Sequence, residues 1–277
     1  MQKIKYPLII SDFDGTLLRS DGTIAEETRK TIAQYVSDGG KFVLSSGRMT
    51  PSIVKQARAL GLVGLVSAYN GAEIADIQSG ERLFQGGLER DEAIAICKKM
   101  EALGLQFHVS EGDEFYSNSG NEYFKLYEKV CQVTGNVVEN MPLSQFVEER
   151  KLNVVKVVAL MASEDRERIY GLLDEAFGKE YEVVRSAKFL VEVCNKRFSK
   201  GTALAFVAKK YDISLEETVA VGDNQNDLAM LQAAGVGLAV ANAELSLQGV
   251  VPFYRLTNDE NAVGKIIEEY GYERIEE

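Results

Sequence analysis

A short apolar run rich in β-branched residues, Leu8-Ile9-Ile10, breaks off into Ser11-Asp12-Phe13-Asp14-Gly15-Thr16-Leu17. Such a run reads as a buried strand. A helical pattern follows from Ala25 to Ser37, closed by Gly39-Gly40, and then a second short strand, Phe42–Ser45, ends in Ser46-Gly47-Arg48. Pro51 opens another helix that runs to Leu60 and stops at Gly61, and a third apolar run, Val63–Ala68, ends at Tyr69-Asn70-Gly71. Strands alternating with helices in this way predict parallel βαβ units, and ligands of such sheets sit at the carboxyl ends of the strands. The three polar tips are therefore expected near one another. Residues two apart on a strand point to the same side, so Asp12 and Asp14 could face one site where the strand frays. Two carboxylates that close repel each other unless a cation or a proton intervenes. The alternative is a solvated Asp-Gly turn.

The pattern changes from about Glu73. Ala72–Ile77 and Arg82–Gln85 flank Gln78-Ser79-Gly80-Glu81 and read as a hairpin. Strands are expected near Gln106–Ser110, Glu114–Ser117, Val154–Leu160, Tyr181–Arg185 and Phe189–Cys194. Helices are expected at Asp91–Leu103, Glu122–Thr134, Leu143–Glu149 and Glu164–Phe177. Strands meeting at hairpins with helices interspersed predict an α+β module with an antiparallel sheet, inserted at 83–188. Residues 1–82 and 189–277 then form the α/β core. Its βα alternation resumes at Phe198-Ser199-Lys200-Gly201, with a helix to Tyr211, and a strand Thr218–Val221 ends in Gly222-Asp223. Asn226 or Asp227 is expected to open the next helix, followed by strands at Gly237–Val240 and Phe253–Leu256 and a last helix at Glu260–Tyr270.

Charge and composition exclude several functions. The 277 residues carry a formal net charge of −11, which argues against non-specific nucleic-acid binding and means that any anionic substrate needs a local cation or a metal. No apolar stretch approaches the roughly 20 residues that span a bilayer, so no membrane role is expected. Cys97, Cys131 and Cys194 are widely spaced and lack a C-x-x-C, which fits a reduced, cytoplasmic setting. The single histidine, His108, lies in the apolar run Leu105–Val109 and reads as a strand residue, so histidine-based triads are not expected.

Four elements stand at expected strand ends or helix starts: Asp12-x-Asp14-Gly15-Thr16, Ser46-Gly47-Arg48, Lys200-Gly201, and Gly222-Asp223-Asn224-Gln225-Asn226-Asp227. Together they resemble the haloacid dehalogenase superfamily of phosphohydrolases, in its Cof-type branch, over essentially the whole chain. The resemblance implies a Rossmann-like core with a parallel sheet and an inserted α+β cap. It implies Mg2+-dependent hydrolysis of small phosphorylated metabolites, such as sugar phosphates, through an aspartyl-phosphate. Asp12 would be the nucleophile and Asp14 the general acid/base. Mg2+ would be held by Asp12, Asp223 and the backbone carbonyl of Asp14, with waters and phosphate completing an octahedron. Ser46, Gly47, Lys200 and Asn226 would bind the phosphoryl group, with Lys200 as the fixed cation. Asp227 would orient Lys200 or ligate the metal, while Gly15, Gly47 and Gly222 permit tight turns that expose backbone N–H groups. Asn70 and Arg48 are supporting candidates, each with a purely structural alternative: a turn residue, and an ion pair within the fold.

A phosphotransferase or mutase of the same superfamily is the nearest competitor. A bisphosphate intermediate would call for a basic cap, and Lys151, Lys156, Arg185 and Lys188 are scattered. A non-catalytic phospho-aspartate signalling module is a third reading, but it needs neither a large insert nor Asp14. The protein is expected as a monomer or homodimer. The usual Gly-Val near the last acidic pair is absent from Asn258-Asp259-Glu260-Asn261, which predicts a local difference in that loop.

Overall fold

The computed structural model describes residues 3–273. The chain divides into two compact units, one built from the chain up to Ser46, Ile53–Phe84 and the chain from Ser199 onward, the other from Gly47–Ser52 and Gln85–Phe198.

The first unit begins with β1 (Leu8–Asp12), which is buried along its whole length. It pairs in parallel with β2 (Lys41–Ser45) on one side and β12 (Thr218–Gly222) on the other. Burial on both faces is why β1 reads as an unbroken apolar run rather than an alternating one. The seven-stranded order is β13-β12-β1-β2-β3-β4-β5, with β3 at Leu65–Ala68, β4 at Glu73–Asp76, β5 at Arg82–Gln85 and β13 at Val236–Ala239. The chain steps outward from β1 through β2 and β3, then returns after the second unit to β12 on the opposite flank. Strand order therefore reverses at β1, and the crevice at such a switch point is where ligands bind in open α/β sheets.

Helix placement in this unit follows local chemistry. α1 (Glu26–Ser37) starts with Glu26 and Glu27, which favour the positive end of the helix dipole. α2 (Thr50–Ala59) carries Pro51 in its first turn, where no helical hydrogen bond is lost. α7 (Lys200–Lys210) is capped by Ser199, whose Oγ accepts from Thr202 N at 3.2 Å while Ser199 N donates to Thr202 Oγ1 at 2.9 Å. α8 (Leu228–Ala233) packs on α7, and α9 (Ala262–Tyr270) packs on α1.

The second unit has a six-stranded sheet in the order β10-β11-β9-β6-β7-β8. Its strands are β6 (Gln106–Glu111), β7 (Glu114–Ser117), β8 (Asn136–Val137), β9 (Lys156–Leu160), β10 (Tyr181–Ala187) and β11 (Leu190–Asn195). All neighbours are antiparallel except β7 and β8, which pair in parallel. One sheet face packs Phe107, Val109, Val157, Ala159, Val191 and Val193 against α3 (Arg90–Ala102), α5 (Leu143–Arg150) and α6 (Arg166–Phe177) in a single apolar cluster. The remaining helix, α4 (Glu122–Cys131), is capped by Asn121, which accepts from Tyr123 N and Phe124 N.

Three expectations are corrected. The return to the core lies at Ser199 rather than 189, because β11 pairs with β9 and β10 in the antiparallel sheet. The outward crossing lies after Phe84 rather than at 83, because β5 belongs to the seven-stranded sheet. Phe253–Leu256 does not form a strand: Phe253 makes one isolated parallel bridge to Ala239, and Pro252 beside it has no N–H to extend a ladder. Among the described residues, no helix is long and apolar enough to cross a membrane.

Candidate active site

The carboxyl ends of β1 and β12 bring Asp12 and Asp223 side by side, because the two strands are paired in register up to Ser11 and Val221. Lys200, the first residue of α7, reaches both Asp12 Oδ1 at 2.5 Å and Asp227 Oδ1 at 2.6 Å. Asp12, Asp227 and Lys200 are all buried, with Lys200 only 1% exposed. Oxygens of Asp12, Asp223 and Asp227 lie within 4.8 Å of one another.

Asp227 has both oxygens engaged. Oδ1 takes the Lys200 ammonium, and Oδ2 accepts the backbone N–H groups of Asp223 and Asn224, each at 2.9 Å. It therefore ties the lysine to the loop that carries Asp223. Gly222 makes room for this: a Cβ there would lie 2.5 Å from the Asp227 side chain. The helix-start expectation for Asn226 or Asp227 is met by Asp227, which stands at the N-cap of α8, with a short turn ahead of it. Asn224 caps the turn, its Oδ1 accepting from Gln225 N at 2.6 Å, and α8 begins only at Leu228.

Thr16 Oγ1 donates to Asp223 Oδ1 at 2.6 Å. Between them Gly15 turns with φ +84°, and a Cβ at that position would sit 2.6 Å from Asp223 Oδ2. Gly15 is thus required by both its backbone and its neighbour. Asp14 lies on the exposed side of this turn, bridged to Leu18. Far-downstream residues hold the loop: Asn242 Nδ2 donates to Gly15 O at 2.8 Å, Asn258 Nδ2 to Leu18 O at 2.9 Å, and Asp259 accepts from Ser20 N and Oγ. Thr16, Asn242, Asn258 and Asp259 were not among the expected site residues. Thr16 stands inside the Asp12-x-Asp14-Gly15-Thr16 motif, whereas nothing in the sequence marks Asn242 as a neighbour of Gly15.

The other tips are joined through Asn70. Its N–H donates to Ser46 O at 2.9 Å, and its Oδ1 accepts from Asn226 Nδ2 at 2.9 Å. Tyr69 and Asn70 both take left-handed conformations, with φ of 51° and 56°, a strain that clusters at functional sites. Gly71 follows at φ +96°, and a Cβ on it would lie 2.1 Å from Ser199 O. The tip of β3 and the start of α7 are in backbone contact, which fixes Lys200 from behind. Asn226 Oδ1 is buried with no hydrogen-bond partner among the described residues. Ser46 is buried at the end of β2. Gly47 and Arg48 fall in the second unit, where Gly47 O accepts from Lys156 Nζ at 3.0 Å.

The charges of the cluster do not balance. Burial, and then the charges of Asp227 and Asp223, hold the Asp12 carboxyl well above the usual carboxylate range against the pull of Lys200. Burial and the Asp227 charge push Asp223 up to about 6, against the Thr16 hydrogen bond. Burial pulls the Lys200 ammonium down, but the two carboxylates more than reverse it, so its pKa rises and the lysine stays charged. Three carboxylates against one lysine leave a deficit of positive charge. An all-oxygen donor set fits a hard divalent cation. Asp12 and Asp223, each with one oxygen in a side-chain hydrogen bond to Lys200 or Thr16, are the carboxylates that could hold it through the other.

The chain as a whole is similar to known proteins. The sequence profile described as haloacid dehalogenase-like hydrolase matches residues 9–267. The chain is 29% identical over 280 residues to phosphatase YwpJ of Bacillus subtilis, covering 94% of this chain and 98% of that one. It is 26% identical over 266 residues to the B. subtilis 5-amino-6-(5-phospho-D-ribitylamino)uracil phosphatase YcsE, covering 96% of each. Among solved structures it is similar to TM0651 from Thermotoga maritima, with a TM-score of 0.80, 28% identity and coverage of 95% and 97%. A haloacid dehalogenase-like hydrolase from Bacteroides thetaiotaomicron matches with a TM-score of 0.83, 26% identity and coverage of 96% and 99%.

Proposed function

This chain belongs to the haloacid dehalogenase-like hydrolases and is a phosphatase, and from that premise we propose that it hydrolyses small phosphorylated metabolites, sugar phosphates or related organophosphates, with Mg2+ through an aspartyl-phosphate on Asp12. The observation that carries the reading is Lys200 bridging Asp12 and Asp227 beside Asp223 at the switch point of the sheet.

An Asp12 oxygen attacks phosphorus in line with the ester oxygen, the P–O bond to the leaving group breaks, and Asp14 gives that oxygen its proton. A water then attacks the aspartyl-phosphate, Asp14 takes a proton from it, and inorganic phosphate leaves with Asp12 restored as a carboxylate. Asp14 suits this exchange because it lies on the exposed side of the turn, where water and the leaving group can reach it. Lys200 holds the Asp12 oxygen in place and offers positive charge to the phosphoryl oxygens in a buried setting, where it counts for more than in water. Ser46 offers a hydroxyl to the same oxygens. Mg2+ held by Asp12, Asp223 and the Asp14 carbonyl would neutralise charge on the nucleophile and orient the phosphate. Asp227 keeps Lys200 directed at Asp12.

Purified protein with p-nitrophenyl phosphate and Mg2+ tests the reading. Asp12→Asn and Asp14→Asn are each expected to lose turnover. Phosphate release by Asp12→Asn at the wild-type rate overturns the nucleophile assignment.

A further inference from the structure

The turn that carries Asp14 is held from a second element of the same unit. Leu18 N donates to Phe13 O at 2.8 Å and closes the turn on itself. Gly15, at φ +84°, makes this turn possible but also loosens it, because glycine restricts the backbone least. Two carbonyls of the turn are taken by asparagines from far downstream. Asn242 Nδ2 donates to Gly15 O at 2.8 Å, and Asn258 Nδ2 donates to Leu18 O at 2.9 Å. The two asparagines are themselves joined, Asn258 N donating to Asn242 Oδ1 at 2.9 Å. Asn242 stands just past β13, in a segment that is also tied to the other acidic tip. Val240 N donates to Gly222 O at 3.0 Å, and Glu244 N donates to Asp223 O at 2.8 Å.

We propose that Asn242 is a positioning residue for Asp14, fixing the acid–base carboxyl against the Asp12–Asp223 pair. The inference rests on the phosphatase reading, in which Asp14 gives the leaving oxygen its proton. The carbonyl that Asn242 holds belongs to the residue next to Asp14, so a shift there moves the Asp14 backbone directly. The hold also bridges the two acidic loops, since the segment that carries Asn242 carries the N–H bonded to Asp223 O. Thr16 Oγ1, on Asp223 Oδ1 at 2.6 Å, braces the turn from its other side. An asparagine suits the place because one planar group supplies a donor to Gly15 O and an acceptor to Asn258 N. An aspartate would offer acceptors to both. Packing does not account for the residue, because Asn242 is exposed. A reacting group displaced by about 1 Å can cost about 100-fold in rate. Asn242 is one of several ties on the turn, so the loss expected on removing it is smaller.

Leaving-group dependence separates the positioning of Asp14 from a general loss of structure. Phenolate is a strong base and needs its proton as the P–O bond breaks, whereas 2,4-dinitrophenolate is a weak base and leaves without one. Phenyl phosphate and 2,4-dinitrophenyl phosphate are therefore compared with Mg2+, reading kcat/KM so that only the steps up to the aspartyl-phosphate count. In Asn242→Ala the ratio of kcat/KM for the first ester to that for the second is expected to fall about five- to tenfold. Asn242→Asp keeps an acceptor for Asn258 N but cannot donate to Gly15 O, so the same fall is expected with the Asn258 tie intact. A ratio equal to wild type in either variant, including an equal loss with both esters, overturns the inference. A second measurement needs no turnover. Amide exchange by NMR at Leu18 and Ser20, whose N–H groups donate to Phe13 O and Asp259 Oδ1, is expected to be about five- to tenfold faster in Asn242→Ala, with β1 unchanged. Exchange at the wild-type rate overturns the hold on the turn. A wild-type chain that hydrolyses neither ester overturns the phosphatase reading, and the exchange rates still decide whether Asn242 fixes the turn.

Discussion

Asp227→Asn separates two roles for a carboxylate that stands within reach of both a lysine and a cation site. If Asp227 serves Lys200, the damage appears without any metal. The asparagine oxygen can keep the two backbone N–H groups of Asp223 and Asn224, but the amide NH2 then faces Lys200 Nζ, donor against donor, across what is a 2.6 Å contact. Losing a charged acceptor costs about 1.5–3 kcal/mol, and breaking a buried pair outright costs about 3–5 kcal/mol. Lys200 keeps Asp12 at 2.5 Å, so the lower range applies, and we expect a loss of about 2–3 kcal/mol. That leaves a folded protein, since domains are stable by about 5–15 kcal/mol. Urea unfolding followed by circular dichroism, in EDTA, measures it directly. Turnover of p-nitrophenyl phosphate is expected to fall about 100-fold as the lysine loses its orientation. A metal-free Asp227→Asn chain as stable as wild type, or more stable, refutes the reasoning. Repulsion among the carboxylates would then outweigh the lysine contact, and Asp227 would belong to the cation.

Gly71→Ala puts a methyl 2.1 Å from Ser199 O at a φ of +96°, so thermal unfolding should show a loss above about 2 kcal/mol. The control Gly22→Ala, at φ +80° with nothing within 4 Å, should cost about 1 kcal/mol. His108 has its pKa lowered by burial and by Lys156, so the unfolded chain takes up a proton below about pH 6.5 that the folded chain refuses. The His108 contribution is therefore intact above that pH and falls below it by up to about 1.4 kcal/mol per pH unit. Because the raised Asp12 and Asp223 act with the opposite sign, it is read as the difference in slope between wild type and His108→Gln in urea melts at pH 7.5 and 5.5. EDTA is expected to abolish turnover and Mg2+ to restore it. Mg2+ at 100 times its dissociation constant should also stabilise the fold by about 2.7 kcal/mol, a gain that Asp223→Asn should lose in thermal melts.

The sequence made the core legible where one residue type serves both fold and site. The run Leu8–Ile10 read as a buried strand, and Asp12 at its end takes its place from that burial. Lys200 was legible only as a residue at a helix start, and its role came from the resemblance of the four motifs taken together. The return boundary was not, because Leu190-Val191-Glu192-Val193 is strand-like in either sheet and only the partner strand decides which. The hold of Asn242 on Gly15, and of Asn258 and Asp259 on Leu18 and Ser20, was equally hidden. Asparagine and aspartate in loops look alike whether they face water or a backbone group more than two hundred residues away. Asn258, in the loop where a local difference was expected, is part of this fastening.

The span of these contacts bears on when the site can exist during synthesis. Asp12 meets Lys200 across 188 residues and Thr16 meets Asp223 across 207. β1 also finds a neighbour in β12 only after the whole insert has been made. Contacts of such separation are slow to form, because loop closure precedes any reward. A nascent chain carries Asp12 long before it carries Lys200 and the acidic loop. The antiparallel sheet of the insert closes within 106–195 and is free to fold while the ribosome still holds the rest. Ordered assembly of this kind lets the inserted sheet form before the carboxylate–lysine cluster can close.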